Sequence, residues 1–290
     1  MSDSSLTRLR AQIDAVDERI MTLLVERMAI VREVGETKSR ECAGGNPIRP
    51  GREAQQVRRI VEWFRGTDFA PAAAASIWRS IIMASLAVEG ALTISVAAGK
   101  DQAELPWLAR EYFGNFLPMT RHAGTRRVVG DVLEGKASIG VLPGFAAGEQ
   151  GRWWPDWLAL SGAQARPRVF AHLPLVYAAR PGRDALNVNA LALGMVEPEP
   201  TGDDVSFLVL QAEENASMHG LQQAFAEEGL TATWVEALAL QPKTRHHLVE
   251  VQGFVTPEHE SMQKIIKHVG AALMAVEFLG AYARPVVIAP

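Results

Sequence analysis

From Leu6 to Arg40 the apolar residues Leu9, Ile13, Val16, Ile20, Leu23, Leu24, Val31 and Val34 recur three and four positions apart, the period of one long amphipathic helix. At 1.5 Å per residue such a helix is about 50 Å long, more than one short partner can cover. The run CAGGNPIRPG must end it, because its Gly and Pro residues break the helical backbone. A second helix fits Arg52 to Phe64. Pro71 suits the first turn of a third, which runs to about Glu89. Three unequal helices with so few loops cannot enclose a core alone, so the pattern predicts dimerisation through the long helix.

After Gly90 the period changes. LTISVAA, FLPMT and SIGVL read as short buried strands, with helical stretches at Pro106 to Phe113 and Thr125 to Glu134 between them. That alternation predicts a βαβαβ unit with a parallel sheet. From Gln150 to Asp204 the chain is rich in Trp, Pro, Gly and Arg, with one strand near VFAHLPLVYAA, and reads as an irregular second part of the same α/β domain. The last segment runs VSFLVLQ, a helix through Leu221 to Glu228, TATWVEAL, HHLVEVQGF, a helix through Met262 to Met274, and a strand near Val276 to Leu279. Its βαββαβ order is that of a ferredoxin-like α+β unit. The expected architecture is therefore multidomain: all-α over 1–91, α/β over 92–203 and ferredoxin-like over 204–290.

A length of 290 residues agrees with two or three domains. The net charge of -4 gives no whole-chain basic footprint, which argues against a nucleic-acid partner. The opening MSDSSLTRLR has no apolar core, and nowhere do eighteen apolar residues run together, so neither a signal peptide nor a membrane span is expected and a cytoplasmic location is. The single cysteine, Cys42, excludes a disulfide framework and a cysteine-based zinc site.

Chemistry enters on the first helix, where Arg27, Val31, Val34 and Lys38 share one face. Two cations in line with an apolar stripe must either reach solvent or meet an anion. Arg10, seventeen positions before Arg27, falls on a different side of the helix, so only a crossed or antiparallel helix from a second subunit could bring both to one small ligand. Arg52 and Glu53 open the second helix, whose free N–H groups also attract anions. On the third, Ser85 and Glu89 lie one turn apart on the face of Trp78 and Ile82, where a satisfied structural face is the simpler account of either alone.

Taken in order, LTRLRAQIDAVDERIMTLLVERMAIVREVGETKSR, NPIRPGRE and IWRSIIMASLAVEGAL resemble the all-helical chorismate mutases, also seen as the N-terminal domain of bifunctional chorismate mutase–prephenate dehydratases. The resemblance covers residues 5–92 and rests on the LR, IDxxDxxIxxLLxxR, VGxxK and RE elements. It implies that Arg10, donated by the partner subunit, and Arg27 bind the two carboxylates of chorismate. Lys38 would bind a carboxylate and the ether oxygen, Arg52 would support the site, Glu53 would hold the ring hydroxyl, and Ser85 would help seat a carboxylate or hydroxyl. Glu89 would face the ether oxygen. An Asp often found three residues before Arg52 has no match, since Arg49, Pro50 and Gly51 stand there.

The reaction accounts for such residues. Chorismate is a flexible dianion whose rearrangement to prephenate is intramolecular and pericyclic, so no cofactor or metal is required. Catalysis then consists of holding the folded conformer and stabilising charge that builds on the ether oxygen. Arginines grip carboxylates through two parallel N–H groups. Many members of the family carry Gln at the position of Glu89; a carboxylate there would repel the developing charge unless protonated.

The stretch from Ile94 to Phe145 resembles the first lobe of a prephenate dehydratase, a periplasmic-binding-like α/β domain. Where that family has a Glu-Asn-Ser run, Gly144, Phe145 and Ala146 stand here. Its Thr-Arg-Phe signature is not found, VSF at Val205 to Phe207 being the nearest string, so dehydratase activity is expected to be absent. Val205 to Pro285 resembles the regulatory ACT domain, in VEVQGFVTPE and FLGAYARP. The family's phenylalanine-binding elements fall on His219, Gly220, Leu221 and on Glu236, Ala237, Leu238, Ala239, leaving open an amino-acid effector or a purely structural role. AAGKD lacks the spacing of a phosphate-binding loop. His246 and His247, adjacent on a strand, point to opposite faces and cannot chelate one metal. The leading reading is a chorismate mutase acting as a homodimer. Isochorismate pyruvate lyase, a bifunctional mutase–dehydratase and a non-catalytic amino-acid sensor are the alternatives.

Overall fold

The computed structural model describes residues 3–41, 47–145, 152–160, 165–178 and 189–288; Cys42 and Ala146 lie outside them, as do the side chains of residues 3, 4 and 38–41. The chain divides into two compact units, residues 1–47 with 84–91, and residues 48–83 with 92–290.

In the first unit helix α1 spans Asp3–Glu41, 39 residues without a break. No Gly or Pro interrupts it except Gly35, so the helical period extends over its whole length. Every described side chain from Ser5 to Glu26 is exposed, and the stripe of Leu9, Ile13, Val16 and Ile20 keeps 47–60% of its surface in solvent. An apolar stripe of that length and no cover is the signature of a helix that packs on something beyond its own chain.

The remaining helices are α2 (Pro50–Phe64) and α3 (Pro71–Glu89), each opening on a proline whose missing N–H is no loss in a first turn. α2 starts two residues before the expected Arg52 for this reason. Ala54, Val57 and Val61 form its buried face. Compactness groups α2 and most of α3 with the later sheet. The Arg58 guanidinium accounts for part of this, donating to Thr201 Oγ1 at 2.9 Å and to the Asp203 carbonyl at 2.6 Å. Among the described residues α3 is the one helix long and apolar enough to cross a bilayer, although no unbroken apolar run announced it. Its hydropathy is that of a core helix: Ala74, Ala75, Ile82 and Met83 are buried, and so is the charged Arg79.

The second unit is built on β1 (Ile94–Ala97), α4 (Leu105–Phe113), β2 (Met119–His122), α5 (Thr125–Leu133) and β3 (Ile139–Pro143), followed by α6 (Trp154–Leu158), β4 (Arg168–Leu173), β5 (Val176–Ala178) and β6 (Ala190–Gly194). The chain continues through β7 (Asp204–Glu213), α7 (Met218–Glu227), β8 (Ala232–Gln241), β9 (Thr244–Gln252), α8 (Glu260–Val269), β10 (Leu273–Ala283) and β11 (Val286–Ile288). Strand β1 pairs in parallel with both β2 and β3, the expected βαβαβ arrangement. The run VFAHLPLVYAA is not one strand: it divides at Pro174, which has no N–H to give a ladder. β4 stays in the large sheet, and β5 pairs with β11 in a sheet of two.

The large sheet has nine strands in the order β2-β1-β3-β6-β4-β10-β7-β9-β8. Its last four, all antiparallel neighbours, are the βαββαβ unit. Helix α8 stops at Val269 rather than at the expected Met274, because Gly270 takes φ +63° and turns the chain out of the helix. Strand β10 is correspondingly longer. It joins β4 at a single point, Gly280 against Val169, so residues 92–203 and 204–290, separate by sequence pattern, share one sheet.

One face of the βαββαβ part carries Leu208, Leu210, Val249 and Val251 against Phe225, Met262 and Ile265 of α7 and α8. The opposite face meets the Trp-rich segment, in which Trp153, Trp154 and Trp157 are fully buried. Phe145 stacks on Trp153 with 5.0 Å between ring centroids and meets Phe207 of β7 edge-on at 4.8 Å. All three indole N–H groups find acceptors, at Pro143 O, Glu236 Oε2 and Pro167 O, as buried indoles require.

Three buried histidines carry a pH prediction. Burial holds His172, His246 and His247 below the usual imidazole range, with Arg245 and His246 adding to the effect at His247 and the Pro174 carbonyl opposing it at His172. A lowered folded-state pKa means that the unfolded chain takes up protons first, so this stability is complete above about pH 6.5 and is lost as pH falls below it. Glu250, pushed up by burial, acts in the opposite sense at lower pH. Urea midpoints measured between pH 8 and 5 are expected to fall below about pH 6.5, and replacing His246 by Leu to flatten that fall; a wild-type midpoint that is level over this range would refute the assignment.

Candidate active site

In the first unit the end of α3 packs against the second half of α1. Ser85 is buried, and its Oγ accepts a hydrogen bond from Arg27 Nη1 and donates toward Met28 Sδ at 3.7 Å. Two turns further along α1, Gly35 faces Glu89: a Cβ at Gly35 would stand 3.5 Å from Glu89 Cγ. The contacts ascend together on both helices, so Arg27, Ser85 and Glu89 line one strip. A half-buried guanidinium held by a hydroxyl, with a carboxyl one turn further along α3, is a set that can bind a carboxylate and address an oxygen near it. Lys38 lies three residues beyond Gly35 in α1, and its side chain is outside the described residues.

Arg10 is exposed, and along the axis it stands about 25 Å from Arg27 at the helical rise of 1.5 Å per residue. One chain therefore does not bring the two together, as the spacing anticipated.

The other two expected residues begin α2, in the second unit. Arg52 is exposed. Glu53 is buried, and both its oxygens are engaged: Oε2 accepts from Arg79 Nη1 at 2.8 Å and Oε1 from the backbone N–H of Arg49, the residue that caps the helix, at 3.3 Å. Arg79 also donates from Nε and Nη2 to the Tyr112 carbonyl at 3.4 and 3.3 Å, and its Cζ lies 3.8 Å from the centroid of the Tyr112 ring. Burial by itself would lower the Arg79 pKa, but Tyr112 and the Glu53 carboxylate outweigh it and hold the guanidinium above its usual value. Burial raises the Tyr112 phenol.

Sequence reasoning passed over Arg79. The signal was present: Arg79, Ile82, Met83 and Leu86 fall at i, i+3, i+4 and i+7, a cation in line with an apolar stripe, the same anomaly that singled out Arg27.

The side chains in the strings that resemble dehydratase and ACT elements are engaged in structural contacts. Ser206, within the VSF string, donates from Oγ to the Gly253 carbonyl and accepts from the Val255 N–H, each at 2.8 Å. Ser217 caps α7 by accepting from the N–H of Gly220 at 3.1 Å. The Glu236 carboxylate accepts from Arg152 Nε at 2.7 Å and from Trp154 Nε1 at 2.8 Å. A cavity of about 460 Å³ lies beside Phe225, Leu230 and Trp234, and no charged side chain lines it. Among the described residues no cluster of three or more His, Cys, Asp or Glu could hold a metal ion.

Residues 9–90 match the family model of type II chorismate mutases. The bifunctional chorismate mutase/prephenate dehydratase of Pseudomonas aeruginosa is 29% identical over 141 residues, 48% of this chain and 38% of that protein. The enzyme of the same name from Aquifex aeolicus is 32% identical over 142 residues, again 48% and 38%. The matched stretch thus spans little more than a third of either relative. Among solved structures, the prephenate dehydratase of Streptococcus mutans superposes with a TM-score of 0.47 at 14% identity, over 69% of this chain and 100% of that one.

Proposed function

We propose that this chain, whose residues 9–90 match the type II chorismate mutases, is a chorismate mutase of aromatic amino-acid biosynthesis that rearranges chorismate to prephenate. The observation that carries the proposal is the strip of Arg27, Ser85 and Glu89, three matched positions that fold together in one unit. Its test is a spectrophotometric chorismate-consumption assay on the purified full-length chain, with prephenate identified as product. No turnover, or turnover of isochorismate to pyruvate in its place, overturns it.

In this reading the substrate-binding set is Arg10, Arg27, Lys38, Arg52, Glu53, Ser85 and Glu89, and the groups that act on the reacting atoms are Arg27, Lys38 and Glu89. Arg27 grips a carboxylate, with Ser85 fixing its guanidinium. Lys38 and Glu89 bracket the ether oxygen as the C–O bond breaks. Glu53, engaged by Arg79 and Arg49, has lone pairs left for a ring hydroxyl, since a carboxylate offers about four acceptor sites. No cofactor or metal takes part in this scheme.

Arg10 reaches the ligand of a second copy in a homodimer formed along α1. The uncovered stripe of Leu9, Ile13, Val16 and Ile20 supports this reading. Sedimentation of the chain as a monomer at assay concentration would remove it. We place the protein in the cytoplasm, where fractionation of cells should find it.

Glu89 faces the ether oxygen in this reading, and Glu89→Gln, which puts an uncharged donor there, is expected to raise kcat/KM for chorismate. An unchanged kcat/KM would exclude that role.

The C-terminal βαββαβ unit is proposed to be ACT-like and structural. Glu236 is already held by Arg152 and Trp154, which favours this over an amino-acid effector. Unchanged mutase kinetics in the presence of phenylalanine or tyrosine would agree, and inhibition would contradict it. The names of the relatives favour a second activity, prephenate dehydration, while the engaged Ser206 and the missing Thr-Arg-Phe signature oppose it. Release of phenylpyruvate from prephenate decides between the two.

A further inference from the structure

A buried guanidinium has five N–H donors to satisfy and a charge to compensate. Arg79, 5% exposed, meets both needs by bridging elements that lie far apart in sequence. On one side is Glu53 in the first turn of α2. On the other is the carbonyl of Tyr112 in the last turn of α4, one of the four at a helix C-terminus with no partner inside the helix. The negative end of the α4 dipole favours a cation there, and the Tyr112 ring adds a cation–π contact beneath the guanidinium.

The bridge does more than neutralise a charge. With Oε2 fixed by Arg79, the Glu53 carboxylate turns Oε1 back to the N–H of Arg49, closing the first turn of α2 on which Arg52 stands. The same turn is pressed on the sheet region from another side, where a Cβ at Gly51 would stand 3.1 Å from Glu199 Cβ. A helix start pinned at both sides has one orientation for the two residues it offers to a ligand.

We propose that Arg79 is a positioning residue for chorismate binding: through Glu53 it fixes the first turn of α2, and through Tyr112 it ties that turn to α4. This rests on the chorismate reading given above and deepens it.

The test is a double-mutant cycle on the full-length chain, with kcat and KM for chorismate measured on wild type, Arg79→Gln, Arg79→Lys, Glu53→Gln and Glu53→Gln/Arg79→Gln, each shown to be folded by circular dichroism. Arg79→Gln is expected to lower kcat/KM by about thirtyfold, as small misplacements of binding groups do. Arg79→Lys should recover part of the loss, since it keeps the charge and loses the fork. The double variant should be within about twofold of Glu53→Gln alone, because Arg79 acts through Glu53; a merely structural arginine would give losses that multiply. Tyr112→Leu, which removes the ring and keeps the carbonyl, should lower kcat/KM several-fold and stands in if Arg79→Gln does not fold. Wild-type turnover together with an unimpaired, folded Arg79→Gln, or Tyr112→Leu in its place, overturns this inference alone, as do multiplying losses in the cycle. A wild-type chain that leaves chorismate intact overturns the functional reading beneath it.

Discussion

Arg27→Ala is expected to lower kcat/KM for chorismate by about a thousandfold while leaving the far-ultraviolet circular dichroism and the unfolding midpoint nearly unchanged. The size follows from the role proposed for Arg27, a charged two-pronged contact to a substrate carboxylate; loss of one such donor costs about 10²–10³ in rate. The fold is spared because Arg27 is only half-buried, with Glu26, Ala29 and Ile30 exposed around it, and alanine is the best helix former. Ser85 keeps Met28 beside it when the guanidinium is gone. Arg27→Lys should fall between the two, because an ammonium supplies the charge without the planar fork. The measurement separates the enzymatic reading from a non-catalytic sensor, in which the helical part only dimerises: a folded Arg27→Ala that retains kcat/KM within about threefold removes the mutase assignment of this residue.

What could be read from the sequence depended on how local its cause was. Helix α1 was legible because one period repeats along it from Leu9 to Val34. The βαβαβ unit was legible because Ile94 to Ala97 and Ile139 to Pro143 are short apolar runs separated by helical spacing. Two departures from the expected elements have local signs: Pro174 inside an apparent strand, and Gly270 inside an apparent helix. Others had none. The pairing of Val169 with Gly280 joins residues 111 positions apart, and nothing near either one announces the other. The same holds for the site: Ser85 and Glu89 fall on one face of α3, but Glu53 is held by Arg79, whose own anchor is the Tyr112 carbonyl at the end of α4. A carboxylate that appears to be available for a ligand can already be held by a guanidinium that no motif records.

That long-range junction carries the second large effect. Gly280→Ala is expected to destabilise the chain by about 3 kcal/mol or more, the sum of a disfavoured backbone and an overpacked contact. Gly280 has φ +144°, a region L side chains rarely adopt, and a Cβ there would stand 2.2 Å from the carbonyl oxygen and 2.4 Å from the nitrogen of Val169. Those atoms belong to a strand in mid-sheet and cannot swing aside as the end of a side chain would. The ladder between β10 and β7 also shifts register between Phe278 and Gly280, so the glycine sits where β10 bends to meet β4. Loss of this contact opens the nine-stranded sheet between β4 and β10 and separates the parallel strands from the βαββαβ part. Urea unfolding followed by tryptophan fluorescence should report it directly, because Trp153, Trp154 and Trp157 are buried between those parts. A Gly280→Ala variant with the wild-type midpoint would mean that the sheet is not continuous there.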